Sequence, residues 1–327
     1  MDESKSLPIR RHTSLLKRLP ETRFTSQMQR TKANWIVFTE HLAPRYFEDI
    51  DFYTGCFNPI ADAWKVGQYE VALMSGELTP EHEKILKGLN LDYASLNEVP
   101  ELAVPGLALF DMDSTVIQIE CIDEIAKLAG VGEEVAQVTE RAMQGELDFE
   151  QSLRQRVGQL KGADEAILEQ VRSQLPFMPD FEALITTLKA LGWKTAIASG
   201  GFTYFSDFIK DKVGLDFAQS NQLEIIDGKL TGKVQGEVVS AQKKADILVE
   251  LAEEYDIELH NTVAIGDGAN DLVMMAAAGL GIAYRAKPTV EAQAQTAIRE
   301  VGLGGVLCIL SASLVKQQKI SWASIPK

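Results

Sequence analysis

The chain has 327 residues, more than one average domain, and its 46% hydrophobic and 24% charged residues are ordinary for a globular protein. A formal net charge of −15 argues against a general binder of nucleic-acid backbones or anionic membranes, both of which call for basic surfaces, and leaves room for a small anionic substrate held at a local positive site. Cys56, Cys121 and Cys308 are far apart, odd in number and form no CxxC pair, which points to a reducing cytoplasm, and His12, His41, His82 and His260 form no catalytic cluster.

In chain order, residues 1–30 are rich in Lys and Arg but contain no apolar secretory core, so 1–33 reads as a flexible basic arm. Residues 34–98 read as a small α+β unit, with strands at Trp35–Thr39 and Tyr69–Met74 and a helix start at Thr79-Pro80-Glu81. This unit holds no catalytic constellation and is expected to be an accessory or dimerising module. The stretch 99–105 has Pro100 and Pro105 and reads as a linker.

The second unit, 106–327, opens with Leu107–Phe110, a short apolar run that predicts a strand buried on both faces. Asp111 and Asp113 follow at once. Two carboxylates one residue apart cost repulsion and desolvation unless a cation or a shared proton offsets them, although DxDS alone is equally compatible with a solvated turn. Helical patterns then fill 119–178: Ile122, Ile125, Ala126 and Ala129 recur at helical spacing, followed by Val135–Met143, Phe149–Leu160 and Ala166–Leu175. An insertion this long, where loops usually run roughly 2–6 residues, predicts a cap over the end of the first strand; an ordinary helical subdomain packed nearby has the same pattern.

The strand–helix alternation resumes at Phe181–Leu191 and Lys194–Ala198. That strand ends in Ser199-Gly200-Gly201, which can aim backbone N–H groups at an anion or form a plain turn. Asp227-Gly228 marks a hairpin. In the helix from Gln242 to Tyr255, Lys244 shares the face of Ile247, Leu248 and Leu251, so it points inward, either snorkelling or aimed at an anion. Thr262–Ile265 is a third buried strand, ending in Gly266-Asp267-Gly268-Ala269-Asn270-Asp271. Two acids and an amide on a glycine-rich loop suit a hard cation such as Mg²⁺. Val301–Leu314 is too short to span a bilayer and reads as core closing the second unit.

Three buried strands ending in DMDST, SGG and GDGAND predict a doubly wound, mostly parallel α/β sheet with all three clusters at one edge. With Lys244 and the helical insertion, this order resembles the haloacid dehalogenase-like phosphohydrolases. Within them it is most similar to the phosphoserine phosphatases, through QIECIDEIAKLAG (118–130), ERAMQGELDFEQSLRQRV (140–157), IASGGF (197–202) and AIGDGANDLVMMAAAGLGIAY (264–284). The N-terminal unit resembles an ACT-like extension.

The resemblance implies a Rossmann-like core, a Mg²⁺ cofactor and hydrolysis of O-phosphoserine, the last step of serine biosynthesis, in the cytoplasm. It makes Asp111 the nucleophile that becomes an aspartyl-phosphate and Asp113 the general acid and then base. It gives Mg²⁺ the carboxylates of Asp111 and Asp267 and the carbonyl of Asp113, with Asp271 behind them. Ser199, Gly200, Lys244 and Asn270 would hold the phosphoryl group, Glu120 the substrate ammonium and Arg156 its carboxylate, with Met143 and Phe149 as walls. A homodimer through the N-terminal unit fits the same picture. Transfer to another acceptor such as homoserine, or a sensing role, share the motifs, but a sensor does not need a nucleophile.

Overall fold

The computed structural model describes residues 6–25 and 32–316. Its N-terminal unit is an antiparallel sheet of β1 (Ile9–Arg10), β2 (Trp35–Thr39), β3 (Ile60–Val66), β4 (Tyr69–Met74) and β5 (Asp92–Ser95), ordered β1-β3-β4-β2-β5. Helices α1 (Thr13–Arg18), α2 (Pro44–Thr54) and α3 (Pro80–Gly88) accompany it. Side chains alternate across the sheet. Trp35 and Val37 pack with Phe47, Ile50 and Leu86 of the helices, whereas Ile36 and Phe38 belong to the core on the opposite face. Burial on both faces is why the strand reads as one unbroken apolar run. Helix α3 starts where expected, its first turn capped by Thr79.

The expected basic arm is not an arm over residues 6–25. Strand β1 pairs with β3 (Ile9 beside Val66), and Leu7, Ile9, Leu15 and Leu19 are buried. Arg11 meets Asp62 at 2.8 Å and Arg18 meets Glu70, both acids being buried in the sheet. The basic residues that read as a solvated tail neutralise these buried carboxylates. The rest of that stretch, residues 1–5 and 26–31, lies outside the described residues.

The second sheet has seven strands: β6 (Leu107–Phe110), β7 (Lys194–Phe202), β8 (Phe217–Ile226), β9 (Lys229–Gln235), β10 (Thr262–Gly266), β11 (Leu280–Tyr284) and β12 (Thr296–Ile298). Their order is β12-β11-β10-β6-β7-β8-β9, parallel except for β9. Phe110 of central β6 sits beside Ile265 of β10 and Ile197 of β7, so the three polar clusters leave the sheet at the same edge. Asp227 and Gly228 both have positive φ (50° and 73°), as the β8–β9 hairpin turn requires.

The insertion after β6 is four helices, α4 (Cys121–Ala129), α5 (Gly132–Met143), α6 (Phe149–Gln159) and α7 (Ala166–Arg172). Two short paired segments attach this cap: Gln118 N donates to Pro176 O at 2.9 Å and Met178 N to Val116 O at 2.8 Å. The cap also leans on the β8–β9 hairpin, where Gly162 N donates to Leu230 O at 2.7 Å.

Helices α8 (Phe181–Ala190), α9 (Thr203–Val213), α10 (Ala241–Glu254), α11 (Leu272–Ala277), α12 (Pro288–Glu291) and α13 (Gly305–Lys316) are the remaining α-helices among the described residues. Helix α13 does more than close the second unit, because it packs on β2, β3 and β4 of the first. Trp64 Nε1 donates to Ser311 Oγ at 2.8 Å, and Leu307, Ile309 and Leu310 are fully buried. A helix that is apolar all round must be covered all round, and the N-terminal sheet supplies the second cover. Asp92 of β5 accepts backbone N–H bonds from Arg299, Glu300 and Val301 at 2.7, 3.0 and 2.9 Å, which ties the two sheets edge to edge. Among the described residues no helix is long and apolar enough to cross a membrane.

Candidate active site

Asp111 is the first residue past β6, and its backbone N–H still donates to Ile265 O at 2.9 Å. The sheet therefore fixes its backbone while its carboxylate stands at the sheet edge. Lys244 is fully buried on the inner face of α10, and its Nζ donates to Asp111 Oδ1 and Asp271 Oδ1, both at 2.7 Å. Burial opposes the ammonium charge, but Asp111 and Asp271 outweigh it and raise the pKa. Lys243 is turned away toward Glu250. Asp271 spends its other oxygen on Gly268 N–H at 3.0 Å, which shapes the GDGAND loop, and Asp267 accepts from Thr115 Oγ1 at 3.2 Å.

Oxygens of Asp111, Asp267 and Asp271 all lie within 4.8 Å of one another. Three carboxylates against one ammonium leave two negative charges without a partner. Burial, then repulsion from Asp271, push Asp111 well above the usual carboxylate range and Asp267 up to about 7. A hard divalent cation is the group that this oxygen-only donor set fits.

Asp113 is not one of the three clustered acids. Its Oδ1 accepts the N–H of Cys121, in the first turn of α4, at 3.1 Å. Burial, then repulsion from Glu120, push its carboxyl up to about 7. Ser199 is buried and its Oγ accepts Gly201 N–H at 2.9 Å. A Cβ on Gly201 would fall 2.7 Å from Asp113 Oδ2, and one on Gly200 would fall 2.6 Å from Phe149 Cζ. The glycines are therefore needed for the close approach of acid and cap.

Core and cap enclose a cavity of about 260 Å³. The core contributes Asp111, Asp113, Ser199, Gly200, Asp267 and Asn270, and the cap contributes Glu120, Phe149 and Arg156 with apolar Ile122 and Leu153. Glu120 accepts from Ser114 Oγ at 2.6 Å. Arg156 lies in α6, and its Nε is buried without a partner. Burial lowers its pKa against the pull of Asp123, Glu120 and Asp113. A half-buried guanidinium with a free donor is suited to a ligand carboxylate.

Met143 departs from expectation. It is the last residue of α5, is 72% exposed and does not line the cavity. The helix ends there with its side chain on the solvent face, which sequence spacing does not reveal. Three contributors went unread: Thr115 on Asp267, Cys121 on Asp113, and Asn221. The Asn221 amide donates to Gly200 O at 2.8 Å and accepts Val239 N–H at 2.8 Å, pinning the Ser199-Gly200-Gly201 stretch of β7. An Asn inside a strand, where it is disfavoured, was the available signal for the last.

The family profile of haloacid dehalogenase-like hydrolases matches residues 106–279, and that of a domain of unknown function matches residues 31–95. A phosphoserine phosphatase of Vibrio cholerae serotype O1 is 69% identical over 326 residues, 100% of this chain and 99% of its own. A crystal structure of a probable phosphoserine phosphatase from Vibrio cholerae, in unliganded form, is 69% identical with a TM-score of 0.92, covering 98% of this chain and 100% of that one. A phospho-aspartyl intermediate analogue of a phosphoserine phosphatase is 45% identical with a TM-score of 0.59, covering 62% of this chain and 97% of that one. With its catalytic motifs inside the matched segment and a relative alike from end to end, the chain belongs to the haloacid dehalogenase-like hydrolases.

Proposed function

We propose that the chain is a Mg²⁺-dependent phosphoserine phosphatase that hydrolyses O-phosphoserine to serine and phosphate through an aspartyl-phosphate on Asp111. One observation carries the reading: a single cavity has phosphate chemistry on its floor and an opposed Glu120/Arg156 pair on its cap. The floor suits a phosphomonoester, and the pair suits the ammonium and carboxylate of an amino acid. The relatives' names and the phospho-aspartyl analogue support the same assignment.

Phosphoryl transfer asks chiefly for positioning and charge neutralisation. A carboxylate oxygen of Asp111 attacks phosphorus as the bond to the serine oxygen breaks. Asp113, protonated, gives its proton to the departing alkoxide. After serine leaves, Asp113 takes a proton from water, the water oxygen attacks phosphorus, and the bond to Asp111 breaks to release phosphate. Ser199 Oγ, the Gly200 N–H and Lys244 Nζ hold the phosphoryl oxygens, and Asn270 borders them. The carboxylates of Asp111 and Asp267 and the carbonyl of Asp113 would hold Mg²⁺, with Asp271 supporting from behind. The ion would supply further neutralisation of phosphoryl charge. Phe149, seated on Gly200, keeps water from the reacting atoms. The free thiols Cys56, Cys121 and Cys308 support a reducing, cytoplasmic setting.

Phosphate release from L-phosphoserine, phosphothreonine and p-nitrophenyl phosphate tests the reading. Strong preference for phosphoserine is expected, lost on chelation and restored by added Mg²⁺. Turnover of the aryl ester without phosphoserine would move the substrate elsewhere, and turnover unaffected by chelation would remove the metal. Arg156→Ala separates the ends of the cavity. Losing a charge-assisted contact should lower kcat/KM for phosphoserine by roughly 10- to 100-fold and hardly touch the aryl ester. Equal losses would assign Arg156 to the phosphate or to the fold.

A further inference from the structure

We propose that Tyr69 of the N-terminal sheet and Asp180 form a positioning pair that braces one hinge of the cap. This rests on reading the helical insertion as the cover of a phosphoserine site. The cap joins the core through two segments, 114–120 and 176–180, and each contains a non-glycine residue in the left-handed region: Ser114 at φ 57° and Asp180 at φ 68°. A non-glycine residue there carries a backbone cost that contacts around it offset. Ser114 is held from within the first hinge, by its Oγ bond to Glu120 at 2.6 Å and its N–H bond to Ile119 O at 3.3 Å.

Asp180 is held from outside the second hinge. It stands at the N-cap of α8, where an aspartate ordinarily accepts the helix's own free N–H groups, yet its side chain makes no cap bond. Its Oδ2 accepts the hydroxyl of Tyr69 instead. Tyr69 is buried in β4, and its oxygen also accepts Gly302 N–H at 3.1 Å. The backbone ahead of α13 is shaped around this contact. A Cβ on Gly302 would fall 2.6 Å from Asp180 Oδ2, and one on Gly304 would fall 2.6 Å from Tyr69 Cε2. Leu303 N–H donates to Pro179 O at 3.0 Å, one residue before Asp180. The second hinge is thus gripped between a strand of the N-terminal unit and the approach to α13. The backbone angle at Asp180 sets how the chain returns from the cap, and therefore where Glu120, Phe149 and Arg156 stand over the phosphate floor. This gives the N-terminal unit a task in a reaction to which it contributes no reacting atom.

Three variants of the full chain test the brace: Tyr69→Phe, Asp180→Ala and Asp180→Gly. Tyr69→Phe and Asp180→Ala are expected to lower kcat/KM for phosphoserine on the order of 10-fold, the scale set by releasing one strained residue, while p-nitrophenyl phosphate, which needs no cap contacts to its leaving group, is spared. Asp180→Gly removes the same carboxylate but adopts positive φ freely, so it should recover much of what Asp180→Ala loses. Hydrogen exchange without substrate should be faster in 176–180 and in α4–α7 for Tyr69→Phe and Asp180→Ala than for the parent. Equal losses on both substrates, equal behaviour of the alanine and glycine variants, or unchanged exchange would each overturn the brace. Should the parent fail to turn over phosphoserine, the functional reading falls, and the exchange comparison still decides whether Tyr69 holds the hinge.

Discussion

Asp111→Asn is expected to abolish phosphoserine turnover, by about four orders of magnitude or more, without weakening the metal-free protein. Asparagine matches the shape of aspartate, and its carbonyl oxygen still accepts from Lys244 Nζ, but its uncharged amide is no nucleophile for phosphorus. Stability should not fall, because the variant removes one of three acids whose oxygens crowd within 4.8 Å around a single ammonium. Like charges held that close in a buried site repel strongly, so relieving one of them favours the folded chain. Steady-state phosphate release and thermal unfolding monitored by circular dichroism in the presence of a chelator provide the check. A loss of activity accompanied by a lower unfolding midpoint would assign Asp111 a structural role, and residual turnover near that of the parent would remove it as the nucleophile.

Asp113→Asn should cost about 10²- to 10⁴-fold in phosphoserine turnover, the usual range for a positioned acid or base, and the two chemical steps can be told apart by the leaving group. Serine leaves as a basic alkoxide and needs a proton at once, so the variant should stall before the phosphoryl group moves. p-Nitrophenolate is stable as an anion and leaves without help. With that ester the variant should release one equivalent of p-nitrophenol in a burst and then stop, because no base activates the water that would clear Asp111. Rapid-quench or stopped-flow absorbance reads the burst directly. Sustained turnover of the aryl ester would show that another group takes the proton from water. The position of Asp113 supports the paired role: it is buried, stands outside the three-acid cluster and is held by the first turn of the cap at Cys121.

The core of the site was legible because its residues follow the apolar stretches of their strands, although β7 itself runs on through Ser199 to Phe202. Asp111, Ser199 and Asp267 each follow a short apolar run, and a parallel sheet forces such ends together. Lys244 was legible from helical spacing alone, since Ile247, Leu248 and Leu251 fix the buried face. Other features are set by tertiary contacts that leave no local pattern. Leu7, Ile9, Leu15 and Leu19 were obscured by the basic residues among them, whose partners Asp62 and Glu70 lie far along the chain. Strand β3 was hidden for a related reason, because Asp62 and Lys65 interrupt its apolar run. Strands β11 and β12 are short, and glycine or threonine dilutes their signal. Met143 depends on how one helix end is turned, and the Tyr69–Asp180 contact joins residues 111 positions apart.

The packing of α13 has a consequence for how the chain is made. Trp64 lies in a strand from the first quarter of the sequence, but its partner Ser311 is 247 positions later. During synthesis the early sheet emerges with one face able to collect α2 and α3 and the other, bearing Ile36, Phe38 and Trp64, still bare. The cover that α13 gives this face arrives only after that helix has left the ribosome. Contacts so distant in sequence slow folding, and exposed apolar strands invite aggregation while they wait. A nascent chain of this kind would be a natural client for a chaperone that shields the open sheet, and cutting the gene between the two units would leave each fragment with half of a shared interior.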